Sequence, residues 1–293
     1  MPTLTPLIPG DPQTIAHDLL RRVTSLATLP EVTVRIIQIV EDPRSTAARL
    51  HQTISHDPAL VTRILKVVNS AFYGLPGQVT TAERAVVLLG VNAVKNLALA
   101  ASLGQLFKGI KICDAFSPRD LWTHCVAVGV IAREMAKQLR LPVVDEAFLG
   151  GMIHDMGLLV HLQVHPEKLS QTCRAAQKEG IEFLAAERNC IGIDHQMLGM
   201  ALSDHWHFPR AFGAVAGFHH HPDGIQDESR QLVSLIHVAD TILCHQSGGF
   251  NLTAVRQEIH EQALADLGID RETAEQMVKG MGQRVKEAIQ LFA

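Results

Sequence analysis

The sequence predicts an all-α protein, and three observations carry that expectation. Apolar residues recur at helical spacing, as in Leu60, Val61, Ile64, Leu65 and Val68. Helix-start signals stand in front of such runs: Asp57-Pro58, Thr80-x-x-Glu83 and Ser117-Pro118-x-Asp120. Long two-residue alternations are missing, and β-branched residues fall inside stripes of helical period.

Taken in order, residues 1–14 carry Pro2, Pro6, Pro9, Gly10 and Pro12, which disfavours a regular element and predicts a flexible arm. Asp57 and Pro58 are suited to the N-cap and first turn of the next clear helix. Asn69, Ser70, Phe72 and Tyr73 end it in a glycine-containing loop, as a helix cap or as a partner-binding edge. Thr80 to Glu83 opens a helix, and the apolar run Ala85–Leu103 is long enough for a buried one. Gly109–Ser117 interrupts the pattern and separates an N-terminal helical subdomain, 15–112, from a second one, 113–250. Further breaks fall at Leu141-Pro142, Gly192, His221-Pro222-Asp223-Gly224 and Gln246-Ser247-Gly248-Gly249. Helices resume across 251–293 and pack on the second subdomain.

Composition narrows the function. At 293 residues and 47% apolar content the chain can bury a sizeable core, and a formal charge of -4 without blocks of like charge argues against a nucleic-acid or membrane-surface binder. Small anionic ligands stay open. Five scattered cysteines without a C-x-x-C pair fit a reducing compartment and read as buried thiols. The start lacks a basic leader followed by an apolar core, and no uninterrupted apolar run approaches the ~18 residues of a membrane span, so a cytoplasmic location is expected.

Sixteen histidines, beside one tyrosine and two tryptophans, are the compositional anomaly. His124 lies on the stripe Leu121, Val128, Ile131 and Met135. His154 shares a face with Ala147, Gly150, Gly151 and Leu158, small residues that admit a second helix at close range. His195 follows the N-cap candidate Asp194 and lies with Leu198, Gly199, Leu202 and Trp206. Asp240 lies among Leu232, Ile236, Ala239 and Leu243, and His219, His220 and His221 end a helix. A lone core histidine is ordinarily satisfied by a backbone carbonyl. Several inward imidazoles and two inward carboxylates in one bundle instead point to a divalent transition metal such as Fe, Mn, Ni or Zn, as one or two ions. Adjacent helical residues point about 100° apart, so His154 and Asp155 can serve one ion, or Asp155 can bridge two. His161, His165, His205, His207, His237, His245 and His260 are expected to be solvated or singly hydrogen-bonded, and Asp120 to cap its helix.

At these residues the chain resembles a known family. The stretches "LATLPEVTVRIIQIVEDP", "ISHDPALVTRILKVVNSAFYG" and "TTAERAVVLLGVNAVKNLAL" resemble the N-terminal half of HDOD domains, the HD-related output domains of bacterial signalling proteins. The order His124, His154-Asp155, His195, His219-His220, Asp240 is similar to the ligand order of HD-superfamily phosphohydrolases, including HD-GYP cyclic di-GMP phosphodiesterases. The resemblance, over roughly residues 20–250, implies an HD-superfamily helical bundle with an additional N-terminal bundle. It also implies one metal on His124, His154, Asp155 and Asp240, and a second, bridged by Asp155, on His195, His219 and His220.

Two departures shape the functional expectation. Leu158 stands where HD-GYP enzymes carry a lysine, and His219–Gln226 replaces their GYP loop. The expected function is a regulatory module that holds metal and binds a signalling partner or a small anionic ligand such as a nucleotide. The alternative is a metal-dependent phosphohydrolase acting on a nucleotide or cyclic dinucleotide, with Asp155 as the candidate catalytic residue. Weak metal-dependent turnover, raised by Leu158→Lys, is the matching expectation for activity.

Overall fold

Asp57 accepts a hydrogen bond from the Leu60 N–H at 2.9 Å, with Pro58 in the first turn, and so starts a helix where the sequence places one. The same local chemistry recurs at Ser117 and Asp194. In the computed structural model, which describes residues 12–22, 29, 31–41, 44, 46–70, 73–107, 111–246 and 250–292, the helices are α1 Pro12–Arg22, α2 Glu31–Glu41, α3 Ala47–Ser55, α4 Pro58–Val68, α5 Ala82–Leu89 and α6 Val91–Leu103. There follow α7 Pro118–Gln138, α8 Val144–Ile153, α9 Gly157–Val164, α10 Pro166–Arg174, α11 Phe183–Cys190, α12 His195–His205 and α13 Arg210–Phe218. The last are α14 Arg230–His245, α15 Glu261–Leu267, α16 Arg271–Lys279 and α17 Gly282–Phe292. Among the described residues the β-pairing is one isolated bridge, Cys113 to Phe116, so the class is all-α.

Several boundaries differ from those read in the sequence. Most of the 1–14 arm lies outside the described residues, but α1 begins at Pro12, because proline is tolerated in a first helical turn. Thr81, not Thr80, caps α5 by accepting from the Arg84 N–H. The run Ala85–Leu103 is two helices, parted at Gly90, whose φ of 89° favours a residue without Cβ. Ser117 caps α7, and Asp120 closes the box by accepting from the Ser117 hydroxyl.

Helices α2–α6 pack on one another, while α1 lies against α9 and α12. One core cluster runs from Ile15 through Leu60, Leu99 and Leu158 to Ala288, across the 112/113 division. A second gathers Val128, Ile131, Met135, Val215, Ile236 and Val278. α7 contributes to both, which sets His124 between them. α17 contacts α7 and α4, and the Trp122 indole N–H donates to the Phe292 carbonyl. Asn69 acts as cap and staple: its amide donates to Leu65 and Val79 carbonyls and accepts from the Val79 N–H. Phe72 lies outside the described residues, and Tyr73 sits under the Arg133 guanidinium at 4.6 Å.

The stretch Val144–Val164 is apolar enough by length and composition to cross a membrane, yet its apolar 18-residue window is 83% buried inside the protein. It is also not one helix. His154–Met156 form a turn between α8 and α9, tightened by hydrogen bonds from Met156 N to Ile153 O and from Leu158 N to Asp155 O.

Candidate metal centre

Two glycines decide which side chains meet. A Cβ on Gly151 would lie 2.4 Å from the Gly129 Cα, so α8 crosses α7 with almost no side chain between them. A Cβ on Gly157 would lie 1.9 Å from the His195 carbonyl oxygen, so the turn after Asp155 abuts the start of α12. The first contact brings His154 to His124, and the second brings Asp155 to His195.

The structure brings all seven candidate ligands together: two histidine groups share Asp155, and Asp240 joins the first of them through His124 and His154. In the first, His124 Nε2 and His154 Nε2 are 3.3 Å apart, His154 Nε2 is 3.3 Å from Asp155 Oδ2, and His124 Nε2 is 3.0 Å from Asp240 Oδ1. In the second, His195 Nε2 lies 3.4 Å from His219 Nε2 and 3.0 Å from His220 Nε2, with Asp155 Oδ1 3.2 Å from His195 and 3.5 Å from His219. All seven are buried, His124 the least at 4% exposed.

The second group has too many acceptors. His219 Nδ1 faces the Val215 carbonyl at 3.1 Å, His195 Nδ1 the Glu187 carboxylate at 2.7 Å, and His220 Nδ1 the Gln257 amide oxygen at 2.6 Å. Each Nδ1 therefore carries the proton when the ring is neutral, and each Nε2 presents a lone pair. Three lone pairs and a carboxylate oxygen then face one another in the buried interior. Neither Asp155 oxygen, nor Asp240 Oδ2, has a hydrogen-bond partner. Such a set is stable only around positive charge.

A divalent ion fits. Two imidazole nitrogens ~2.0–2.1 Å from one ion stand about 2.9 Å apart at a right angle and about 3.4 Å apart at a tetrahedral one. The three nitrogen pairs above, at 3.0–3.4 Å, span that interval. The partners of Nδ1 are of the kind that orient metal-bound histidines. His154 Nδ1 likewise faces the Gly151 carbonyl at 2.7 Å.

Electrostatics agree with a cation-seeking centre. Burial pushes the Asp155 carboxyl up, but His154, His195 and His219 override it and hold it well below the usual carboxylate range. Burial pulls His154 down, and Asp155 with Asp240 more than reverses this, to about 9. His219 and His220 are held down by burial and stay neutral. Without an ion, imidazolium must supply the compensating charge.

Two histidines expected to be solvated or singly bonded are neither. His161 is fully buried, its Nε2 3.4 Å from Glu187 Oε1. His237 is fully buried between the His219 carbonyl and the His260 N–H. His205, His207 and His245 are exposed, and His165 and His260 are half-buried. The sequence reading missed Glu187 and Gln257, which hold the rings of candidate ligands, and Gln196, which accepts from the His220 N–H. Glu187 had a signal, since it follows Leu184 and Phe183 at +3 and +4 on an apolar face. Leu158 is fully buried in the core.

Comparison with known proteins agrees with this architecture. An HDOD domain protein of unknown function from Geobacter sulfurreducens superposes with TM-score 0.77 at 20% identity, covering 96% of this chain and 97% of its own. A candidate phosphohydrolase from Shewanella amazonensis SB2B gives 0.70 at 24% identity, covering 94% and 98%. These likenesses establish the fold. An uncharacterized protein of Treponema pallidum (strain Nichols) is 24% identical over 227 residues, 77% of this chain but 44% of its own, so the chain spans under half of that relative. The HDOD domain family model matches residues 26–222, about two thirds of the sequence, and the chain belongs to the HDOD domain family.

Proposed function

We propose that this chain is a regulatory module whose HD-type centre holds two divalent transition-metal ions in a closed site and which binds a signalling partner or a small anionic ligand. His124, His154, Asp155 and Asp240 hold the first ion, and Asp155, His195, His219 and His220 the second. The observation that carries the reading is the buried group of His195, His219, His220 and Asp155 Oδ1, in which each imidazole Nδ1 is engaged outward and the three Nε2 atoms converge on the carboxylate. Burial of every ligand supports a holding role over turnover, since a phosphoester needs an open face at the ion. A cleft of about 850 Å³ lined by Met200, Phe208, Arg210, Phe218 and Asp227 is built on α12 and α13, the helices that carry His195 and lead into His219, and it offers a small ligand a place on the same elements.

The second reading, a metal-dependent phosphohydrolase, is favoured by one feature: the two oxygens of Asp155 face separate histidine groups, as in two-metal hydrolytic sites. A bound ion would acidify a coordinated water and polarise a phosphoryl oxygen. This chain's residues would orient that centre, with Asp155 as bridge and Glu187 steadying His195. Leu158→Lys is no remedy, because that position lies in the apolar core and the exchange would bury a charge.

Elemental analysis of purified protein, followed by a turnover assay across phosphomonoesters, nucleotides and cyclic dinucleotides, separates the readings. Two metal equivalents with no turnover support the first. Two equivalents with turnover abolished by His154→Ala support the second. Protein that binds no divalent ion overturns both.

A further inference from the structure

We propose that the Cys244 sulfur is itself a ligand of the first ion, which gives that half of the centre a mixed histidine, carboxylate and thiolate donor set. The inference rests on the metal-holding reading above and adds a residue and a metal preference to it. Cys244 follows Asp240 by four residues on α14, so both side chains leave the same face toward α7. Its Sγ lies 3.4 Å from Asp240 Oδ1, the oxygen that stands 3.0 Å from His124 Nε2. The ligand atoms of His124, Asp240 and Cys244 all lie within 4.8 Å of one another.

The spacing suits a shared ion. A carboxylate oxygen at ~2.1 Å and a sulfur at ~2.3 Å from one ion stand about 3.1–3.6 Å apart between right-angle and tetrahedral arrangements. The observed 3.4 Å falls inside that interval. A second observation points the same way: the other oxygen of this carboxylate, Asp240 Oδ2, is buried without a hydrogen-bond partner, and Cys244 is only 1% exposed. If the thiol served only to satisfy Asp240 by hydrogen bonding, the carboxylate would still have an orphaned oxygen. An ion on the same side takes up both carboxylate and sulfur. On binding, the sulfur–metal bond forms as the thiol proton leaves to solvent.

Cys125 is the internal contrast. It follows His124, is equally buried, and belongs to none of the grouped ligand sets among the described residues. The consequence for the ion follows from ligand softness: thiolate favours zinc or iron and disfavours manganese.

The test uses full-length protein stripped with a chelator and reloaded with Co²⁺, read by metal content and by absorption spectrum. The expected result is a near-ultraviolet thiolate-to-cobalt charge-transfer band in wild type and in Cys125→Ser. The band is lost in Cys244→Ser, which retains its fold and at least the second cobalt. X-ray absorption at the zinc edge of wild-type protein gives the same answer without a variant, through a sulfur scatterer at ~2.3 Å. Cobalt bound without the band, a band that survives Cys244→Ser, or a zinc shell of nitrogen and oxygen alone overturns the proposal while leaving the metal-holding reading standing. Failure to bind cobalt or zinc at all overturns both.

Discussion

The Gly157 α-carbon is pressed against the His195 carbonyl oxygen so closely that a Cβ there would come within 1.9 Å of it. No rotamer change relieves such a clash, because the position of a Cβ is fixed by the backbone that carries it and the oxygen is itself backbone. Gly157→Ala is therefore expected to separate α9 from α12, costing at least the ~1–3 kcal/mol typical of overpacking. It should also release the second ion, since Asp155 would withdraw from His195. Gly150→Ala is the comparison, with its nearest neighbour, the Ile236 side chain, at 3.5 Å. Thermal unfolding and metal content of the two variants check this; equal stability and equal metal would refute the close-approach argument.

Asp155 and Asp240 are expected to differ in their effect on stoichiometry. Asp155 faces both histidine groups, whereas Asp240 faces only His124 and His154. Asp155→Ala should lose both ions, and Asp240→Ala only the first. Elemental analysis decides, and full metal content in Asp155→Ala would sink the ligand assignment.

Much of this arrangement was legible in the sequence, and its failures have physical causes. His124, His195 and Asp240 were readable because each sits on an uninterrupted apolar stripe, and the small residues Gly150 and Gly151 marked a close helix approach. The α8–α9 break was not readable. Nothing in Met152–Met156 forbids a helix, and the turn is held by local hydrogen bonds inside an apolar run. Gly90 did carry a break signal, yet a single glycine within a long apolar run is also tolerated in helices. Glu187, Gln196 and Gln257 reach the centre from separate helices and loops, so only tertiary structure reveals what they hold. His237 precedes Asp240 by three residues on the same helix, and that spacing was a usable sign of its burial.

Glu187 is expected to matter without touching an ion. Its Oε2 accepts from both the His195 backbone N–H and Nδ1. Glu187→Gln should lower second-site affinity about 10- to 100-fold, the range found for outer-shell partners of metal-bound histidines, and leave the first site intact. Competition titration with a chromophoric chelator measures it. Unchanged affinity at both sites would mean that Glu187 serves only the core.

His237 makes the fold acid-sensitive. Burial, with a smaller contribution from the neighbouring His260, holds its imidazole at about 4, against an ordinary 6.5. The unfolded chain takes up this proton as pH falls below 6.5, whereas the folded chain does not until about 4. The contribution is thus fully present above pH 6.5 and lost as pH falls toward 4, at ~1.4 kcal/mol per pH unit and on the order of 3 kcal/mol in all. His237→Gln should be less stable at neutral pH and show a shallower loss across this window in urea unfolding. A variant with the wild-type pH slope would place the acid sensitivity elsewhere.

The last prediction concerns activity. If the chain hydrolyses phosphoesters, substrate must displace the cover over seven candidate ligands that are each at most 4% exposed. Phe250 forms part of that cover, with its ring edge-on to His124 at 5.8 Å and to Phe183 at 6.5 Å. Phe250→Ala should open the first-ion side while leaving its ligands in place. With a closed regulatory centre, this variant exchanges metal faster than wild type but gains no turnover. With an occluded hydrolase, phosphodiesterase activity rises and depends on His154. Stopped-flow chelation and a phosphodiesterase assay on the same preparation separate the two, and activity gained by opening the cover would promote the enzyme reading.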